Sequence, residues 1–174
     1  MISNKGLSLA QMNAAFPAST LAANTLHIGL FKGTAPKISK ALDAMGPNAV
    51  NSLLNWGFVC NNLGLSSSDC LGVLASAAIT PIVNVGTRTV TLPLAGQAST
   101  LVGVADGTPT FYVARICPAN ATNNWIGFAN SAYISGPFWI GSVGAQGSDA
   151  ELQFIGGTIK TGQAYRFLDL TIQL

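Results

Sequence analysis

In several stretches of this chain apolar and polar positions alternate with a period of two, the spacing of a strand with two unlike faces. Over residues 25–32, Leu26, Ile28 and Leu30 fall on one side, and His27, Gly29 and Phe31 on the other. The polar His27 is expected on the exposed or interfacial side of that strand. The alternation returns over 88–93, where Thr89 and Thr91 separate Val90 and Leu92. Over 110–117 it coincides with strong β propensity: Phe111, Val113 and Arg115 share one face, and Tyr112, Ala114 and Ile116 the other. A loop over 119–124 leads into Trp125, Ile126, Gly127 and Phe128, which are predicted as a short strand. Beyond residue 133, three apolar runs (to 154, over 156–163, and from 164 to the end) are separated by Gly/Ser/Asp turns. They predict three short antiparallel strands.

Two segments depart from this period. Residues 7–16 carry helix formers at i, i+3 and i+4 spacing, with Ser8 placed to cap them and Pro17 to stop them. Residues 39–72 read as helical pieces. Pro47 suits a first helical turn, Gly57 the position after a helix end, and 61–69 a loop. This block resembles an insertion between two strands of a β domain. Its apolar residues Leu42, Met45, Val50, Leu53, Leu54, Trp56 and Phe58 require a surface to cover. Short strands with Gly-rich turns about every ten residues predict a mainly β fold, an antiparallel sandwich or jelly roll. A parallel α/β fold would need helical crossovers, and none is visible after Pro81. The expected organisation is one domain over 1–174, with a helical N-terminal segment (1–24) and a partly helical insertion (39–72).

Composition adds a constraint on the surface. Of 174 residues, 49% are hydrophobic and only 8% charged, against roughly 25% charged for an average soluble domain. So few charges give poor colloidal stability, which favours a surface largely covered by partners. The net charge of +2 comes from scattered lysines and arginines, so a nucleic-acid face is not expected. The apolar runs fall short of the roughly 20 residues that span a bilayer. The N-terminal run is broken at Phe16 and Pro17, and no signal peptide is expected.

Candidate chemistry is sparse. Cys60, Cys70 and Cys117 have no metal-ligand spacing. They are read as buried free thiols, with closure of a small loop by Cys60 and Cys70 as the alternative. His27 is the sole histidine, with no acid or cysteine near it in sequence. Asp149 and Glu151 lie two apart on a predicted strand and would share a face, loosely the arrangement of a glycosidase pair. A turn Asp and a surface Glu is the plainer reading. The glycines near 141–147 lack the helix and lysine of a phosphate loop. No catalytic, cofactor-binding or metal-binding residue is therefore expected. Trp125, Tyr133, Phe138 and Trp139 gather near one loop and strand. Core or interface is their expected fate, and Trp125, Tyr133 and Trp139 are the candidate surface aromatics for stacking on a sugar.

Taken in order, several motifs resemble a known family. The sequence TLHIGLFKGTAP over 25–36 follows the Ala/Leu-rich first helix, and GTPTFYVARI over 107–116 comes mid-chain. The end carries IGSVG at 140–144, GSDAELQF at 147–154 and IKTGQ at 159–163, then a final alternating run. This order resembles small structural proteins of tailed-bacteriophage particles and covers about half of the chain. The departure is 39–79, more helical than in that family. The resemblance implies a non-enzymatic β-sandwich of the virion, assembled in the bacterial host cytoplasm. It would form a homo-oligomer, a trimer by analogy, and bind major capsid, neck or tail proteins. No nucleic acid, membrane or cofactor is implied. The contact residues expected for such partners are Leu42, Met45, Leu53, Leu54, Trp56 and Phe58 in the insertion. Deleting 41–68 is expected to leave a folded β domain. The alternative function is a receptor- or glycan-binding module on the virion surface.

Overall fold

A computed structural model describes residues 24–37, 39–40, 56–76, 79–95, 100–118, 122–130 and 138–173. The helix expected over 7–16 and the helical piece opened by Pro47 lie outside them.

The architecture is mainly β and sandwich-like, as expected. Strand β1 (Asn24–Phe31) pairs antiparallel with β2 (Cys70–Ala75) and β6 (Phe111–Pro118). Strand β7 (Phe138–Ala145) lies on β6, and β8 (Leu152–Phe154) on β7, giving the order β2-β1-β6-β7-β8. A second sheet has the order β10-β4-β3, from β3 (Ile82–Asn84), β4 (Thr89–Leu92) and β10 (Leu170–Gln173). Strands β5 (Leu101–Val102) and β9 (Ala164–Tyr165) form a two-stranded ribbon. Two helices are described, α1 (Trp56–Leu63) and α2 (Trp125–Phe128).

Both faces of the five-stranded sheet are covered, by different material. Leu26, Ile28, Leu30, Tyr112 and Ala114 point into a core shared with Val90, Leu92, Leu101, Leu170 and Ile172 of the smaller sheets. Phe31, Val73, Phe111 and Val113 point the other way and meet α1 and Phe128 of α2. The face partition expected for β1 and β6 is thus correct, but neither face is open to solvent. The outer strands of this sheet also have neighbours. Val104 N–H donates to the Leu71 carbonyl of β2 (2.9 Å), and Leu168 N–H to the Gln153 carbonyl of β8 (2.9 Å). Such cover suppresses edge-to-edge pairing with other chains.

The helices depart from the sequence reading. Gly57 does not follow a helix end; it lies in the first turn of α1. Trp56, Val59, Cys60 and Leu63, at i, i+3, i+4 and i+7, are the buried stripe that holds the helix to the sheet. The stop comes at Gly64, whose φ of 72° is left-handed. Gly64 N–H donates to Asn61 O (3.0 Å) and Leu65 N–H to Cys60 O (2.9 Å), a Schellman closure. The described part of the insertion, α1, is therefore part of the core, and deletion of 41–68 would strip it from the sheet. Residues 125–128 are α2 rather than a strand. The Asn124 side chain caps them, accepting from Gly127 N–H at 2.8 Å.

The C-terminal runs are also rearranged. β8 pairs parallel to β7, Val143 opposite Leu152 and Ala145 opposite Phe154. So short a parallel return is possible because Gln153 braces the connection, accepting from Gly147 N–H (2.9 Å) and donating to Ser148 O (2.6 Å). Residues 156–163 form no strand; Ile159 makes one bridge, to Gly107, and Gly156, Gly157 and Gly162 have positive φ. The final run splits into β9 and β10. Its buried residues are Tyr165 and Phe167, then Leu170 and Ile172. The phase slips between 167 and 170, so one continuous strand could not bury all four.

Gly103 shows how tightly the ribbon meets the 159–163 turn. Its N–H donates to Gln163 O (2.9 Å) and its carbonyl accepts from Gly162 N–H (2.8 Å). A Cβ here would run into the Lys160 carbonyl oxygen and come 2.8 Å from Ile159 Cγ2. Gly103→Ala is expected to cost about 1–3 kcal/mol by overpacking. In urea unfolding its midpoint should fall while the slope is unchanged.

Candidate functional site

The antiparallel register of β1 and β6 sets His27 opposite Arg115, both on the face covered by the helices. Residues 122–128 pass over the pair, and His27 and Arg115 are buried to 0% and 1% exposure. This overturns the expectation of an exposed or interfacial His27. The Arg115 guanidinium lies over the Trp56 ring, 5.0 Å from its centroid, and 5.9 Å from that of Phe128. Aromatic faces stabilise a buried cation in this way. Arg115 Nη2 donates to the Gly127 carbonyl at 3.4 Å and lies 3.5 Å from His27 Nδ1. His27 Nε2 is 2.9 Å from the Thr122 carbonyl oxygen. A carbonyl only accepts, so Nε2 carries the hydrogen and Nδ1 turns its lone pair to Arg115. Burial, then the Arg115 charge, pushes the His27 pKa down to about 4, against a smaller upward pull from the Thr122 hydrogen bond. At neutral pH the imidazole is uncharged and bridges a cation to a carbonyl.

Cys60 and Cys70 lie close to this layer and are free. Burial pushes the Cys60 thiol up to about 12 and the Cys70 thiol up to about 11. Both are protonated packing groups rather than nucleophiles at neutral pH. Among the described residues, no three His, Cys, Asp or Glu side chains are grouped to hold a metal ion.

Asp149 and Glu151 do not share a strand face; both precede β8, in its connection from β7. Asp149 is exposed. Glu151 Oε2 accepts from Ser142 N–H (3.3 Å) and from the Tyr112 hydroxyl (3.5 Å). Burial and the Glu151 charge hold the Tyr112 phenol above its usual range. Glu151 thus fastens the connection to β6 and β7. A cleft beside β1, lined by Phe31, Lys32, Asp69 and Phe111 among others, has a volume of about 120 Å³. Sites for small molecules typically enclose roughly 300–1,000 Å³.

The expected contact residues are divided by the fold. Trp56 is fully buried beneath Arg115, which removes it from any partner surface. Its indole fills the space between helix and sheet. Phe58, two residues on and off the buried stripe, is 51% exposed. Leu42, Met45, Leu53 and Leu54 lie outside the described residues, as does Tyr133. Trp125 packs against the helical cluster and Trp139 against the opposite core. Phe138 and Trp139 are successive on β7 and so point to opposite faces. The two tryptophans therefore do not form one aromatic patch.

The sequence reading missed Ile126, 81% exposed on α2. The i, i+3 pairing of Trp125 with Phe128, turned inward, was the available signal for a helix with Ile126 facing out. Neither α1 nor α2 has an acidic residue in its first turn or a basic one in its last, and their sequences, WGFVCNNL and WIGF, carry no charge at all. The outer layer thus exposes Phe58 and Ile126 on two helices that carry no charge of their own. No protein-family model matches the chain, and no curated protein or solved structure matches it either.

Proposed function

We propose that this chain is a non-enzymatic structural component of a bacteriophage particle. It associates with copies of itself and with head, neck or tail proteins through the uncharged outer face of its helices. The observation that carries this reading is the exposure of Phe58 and Ile126 on two helices without charged residues. A charge-poor sequence supports it, with 8% charged residues overall. Stable assembly interfaces are apolar and depleted in charge at their centres. The β framework presents this layer, and affinity comes from shape and apolar burial, about 1.5–3 kcal/mol for each large side chain fully covered.

The double variant Phe58→Ser/Ile126→Ser tests this reading. Both side chains are exposed, so far-ultraviolet circular dichroism is expected to stay unchanged. Sedimentation should show an oligomeric parent and a variant whose self-association is weakened by about tenfold or more. The variant should also be depleted from assembled particles. A parent that stays monomeric and enters no particle, or a variant that assembles normally, rejects the reading.

A further inference from the structure

We propose that Asp106–Gly107 is a modification site that closes to a succinimide and reopens as isoaspartate when residues 159–161 let go of it, and that the folded chain holds it unreactive. It is the only Asp-Gly step in the chain, and no Asn-Gly step occurs. A glycine after aspartate has no Cβ to shield its nitrogen from the preceding carboxyl group. The chemistry needs only water. Gly107 N bonds to Asp106 Cγ, the amide proton leaves, and the Cγ–OH bond breaks to release water. A water molecule then opens the ring. Attack at Cγ restores aspartate. Attack at the main-chain carbonyl carbon of Asp106 breaks its bond to Gly107 N and leaves the chain running through Cβ and Cγ.

The fold engages each reacting group. Gly107 N–H donates to the Ile159 carbonyl (3.0 Å), and Ile159 N–H returns a bond to the Gly107 carbonyl (2.8 Å). Asp106 Oδ1 accepts from Thr161 N–H (2.8 Å) and from the Thr161 hydroxyl (2.9 Å), and Oδ2 accepts from Lys160 Nζ (3.1 Å). Ring closure requires the carboxylate to leave these donors and turn to the nitrogen that follows it. The same bonds, that from Thr161 N–H foremost, hold the carboxyl pKa down at about 2. At neutral pH the group is therefore ionised and has no hydroxyl to expel. Exclusion of water is not the guard, since the Asp106 side chain is 58% exposed. Packing also retains the step. A Cβ at position 107 would come 2.9 Å from Leu71 Cδ2, and without the Asp106 carboxylate residues 160 and 161 lose their acceptor. Isoaspartate adds one backbone atom ahead of Gly107, so the paired bonds to Ile159 no longer fit their register. A modified chain thus does not reclose as before.

Long incubation of the parent at neutral pH, folded and in urea, with isoaspartate at position 106 counted by peptide mapping, tests this. The unfolded chain is expected to accumulate it, and the folded chain at about one tenth of that rate or less. Thr161→Val removes one hydroxyl donor and Lys160→Met the ammonium, both at exposed positions. Each is expected to raise the folded-state rate several-fold while the urea midpoint stays where it was. Equal rates in the folded and unfolded parent, or no isoaspartate at 106 in either, overturn the proposal. So does a variant rate that stays at the parent value or rises only in step with a falling midpoint, since global unfolding would then set it. Should one variant not fold, the other variant and the parent comparison decide.

Discussion

Trp56→Ala is expected to lower the unfolding free energy by about 3–5 kcal/mol, the range for removing a large buried aromatic side chain. Trp56 is fully buried at the start of α1. Its ring meets Phe128 at 5.8 Å and Phe138 at 5.5 Å between centroids. It also carries the Arg115 guanidinium on its face. Deletion leaves a cavity and removes an aromatic surface from a buried cation, two costs that fall on one site. Trp56 Nε1 has no hydrogen-bond partner among the described residues, so the indole acts through its face rather than its N–H. Trp56→Phe keeps a ring under Arg115 and should cost clearly less than Trp56→Ala. Urea unfolding of the two variants beside the parent checks this ordering. If Trp56→Ala costs under about 1 kcal/mol, α1 is an appendage, as the sequence reading had it.

Acidification is expected to remove up to about 3 kcal/mol of stability between pH 6.5 and 4, through His27 alone. In the unfolded chain His27 titrates at its ordinary 6.5, and in the folded chain near 4. Between these values the unfolded state binds the proton and the folded state does not. The stability present above pH 6.5 is therefore lost as pH falls through the window and is gone near pH 4. Isothermal urea unfolding at several pH values measures the slope, and His27→Gln should flatten it. A parent whose stability is level from pH 7 to 4 would show that His27 is not buried neutral. Asp106 acts in a lower window. Hydrogen bonds from Thr161 N–H, Thr161 Oγ1 and Lys160 hold its pKa down at about 2, so its contribution is present above about pH 4 and lost toward pH 2.

What the sequence showed, and what it concealed, can be followed in single residues. The alternation correctly separated Leu26, Ile28 and Leu30 from His27 in β1, and Tyr112 and Ala114 from Arg115 in β6, because side-chain direction along a strand is set locally. Only the pairing of the two strands set His27 beside Arg115 on the other face. Alternation does not say what covers a face, and for His27 that decided everything. Two helices lie over it, so a residue expected near the surface became a neutral buried imidazole. The Gly57 reading failed because glycine is a frequent but dispensable stop signal, and the stripe from Trp56 to Leu63 ran past it to Gly64. The contact residues expected in the insertion were chosen for hydrophobicity alone. That property cannot separate Trp56, which faces the sheet, from Phe58, which faces out.

The sequence by itself determined the class of this protein: mainly β, short strands, glycine-punctuated turns and a helical insertion between neighbouring strands. These follow from local sterics and a period of two, which need no knowledge of distant residues. Only the tertiary structure decided that β8 runs parallel to β7, that the last run breaks into two strands in different sheets, and that both faces of the main sheet are buried. It alone brought His27, Arg115, Trp56 and Phe128 into one cluster. Each of these depends on contacts between residues tens of positions apart, where burial and hydrogen bonding between segments outweigh the preference of any segment on its own.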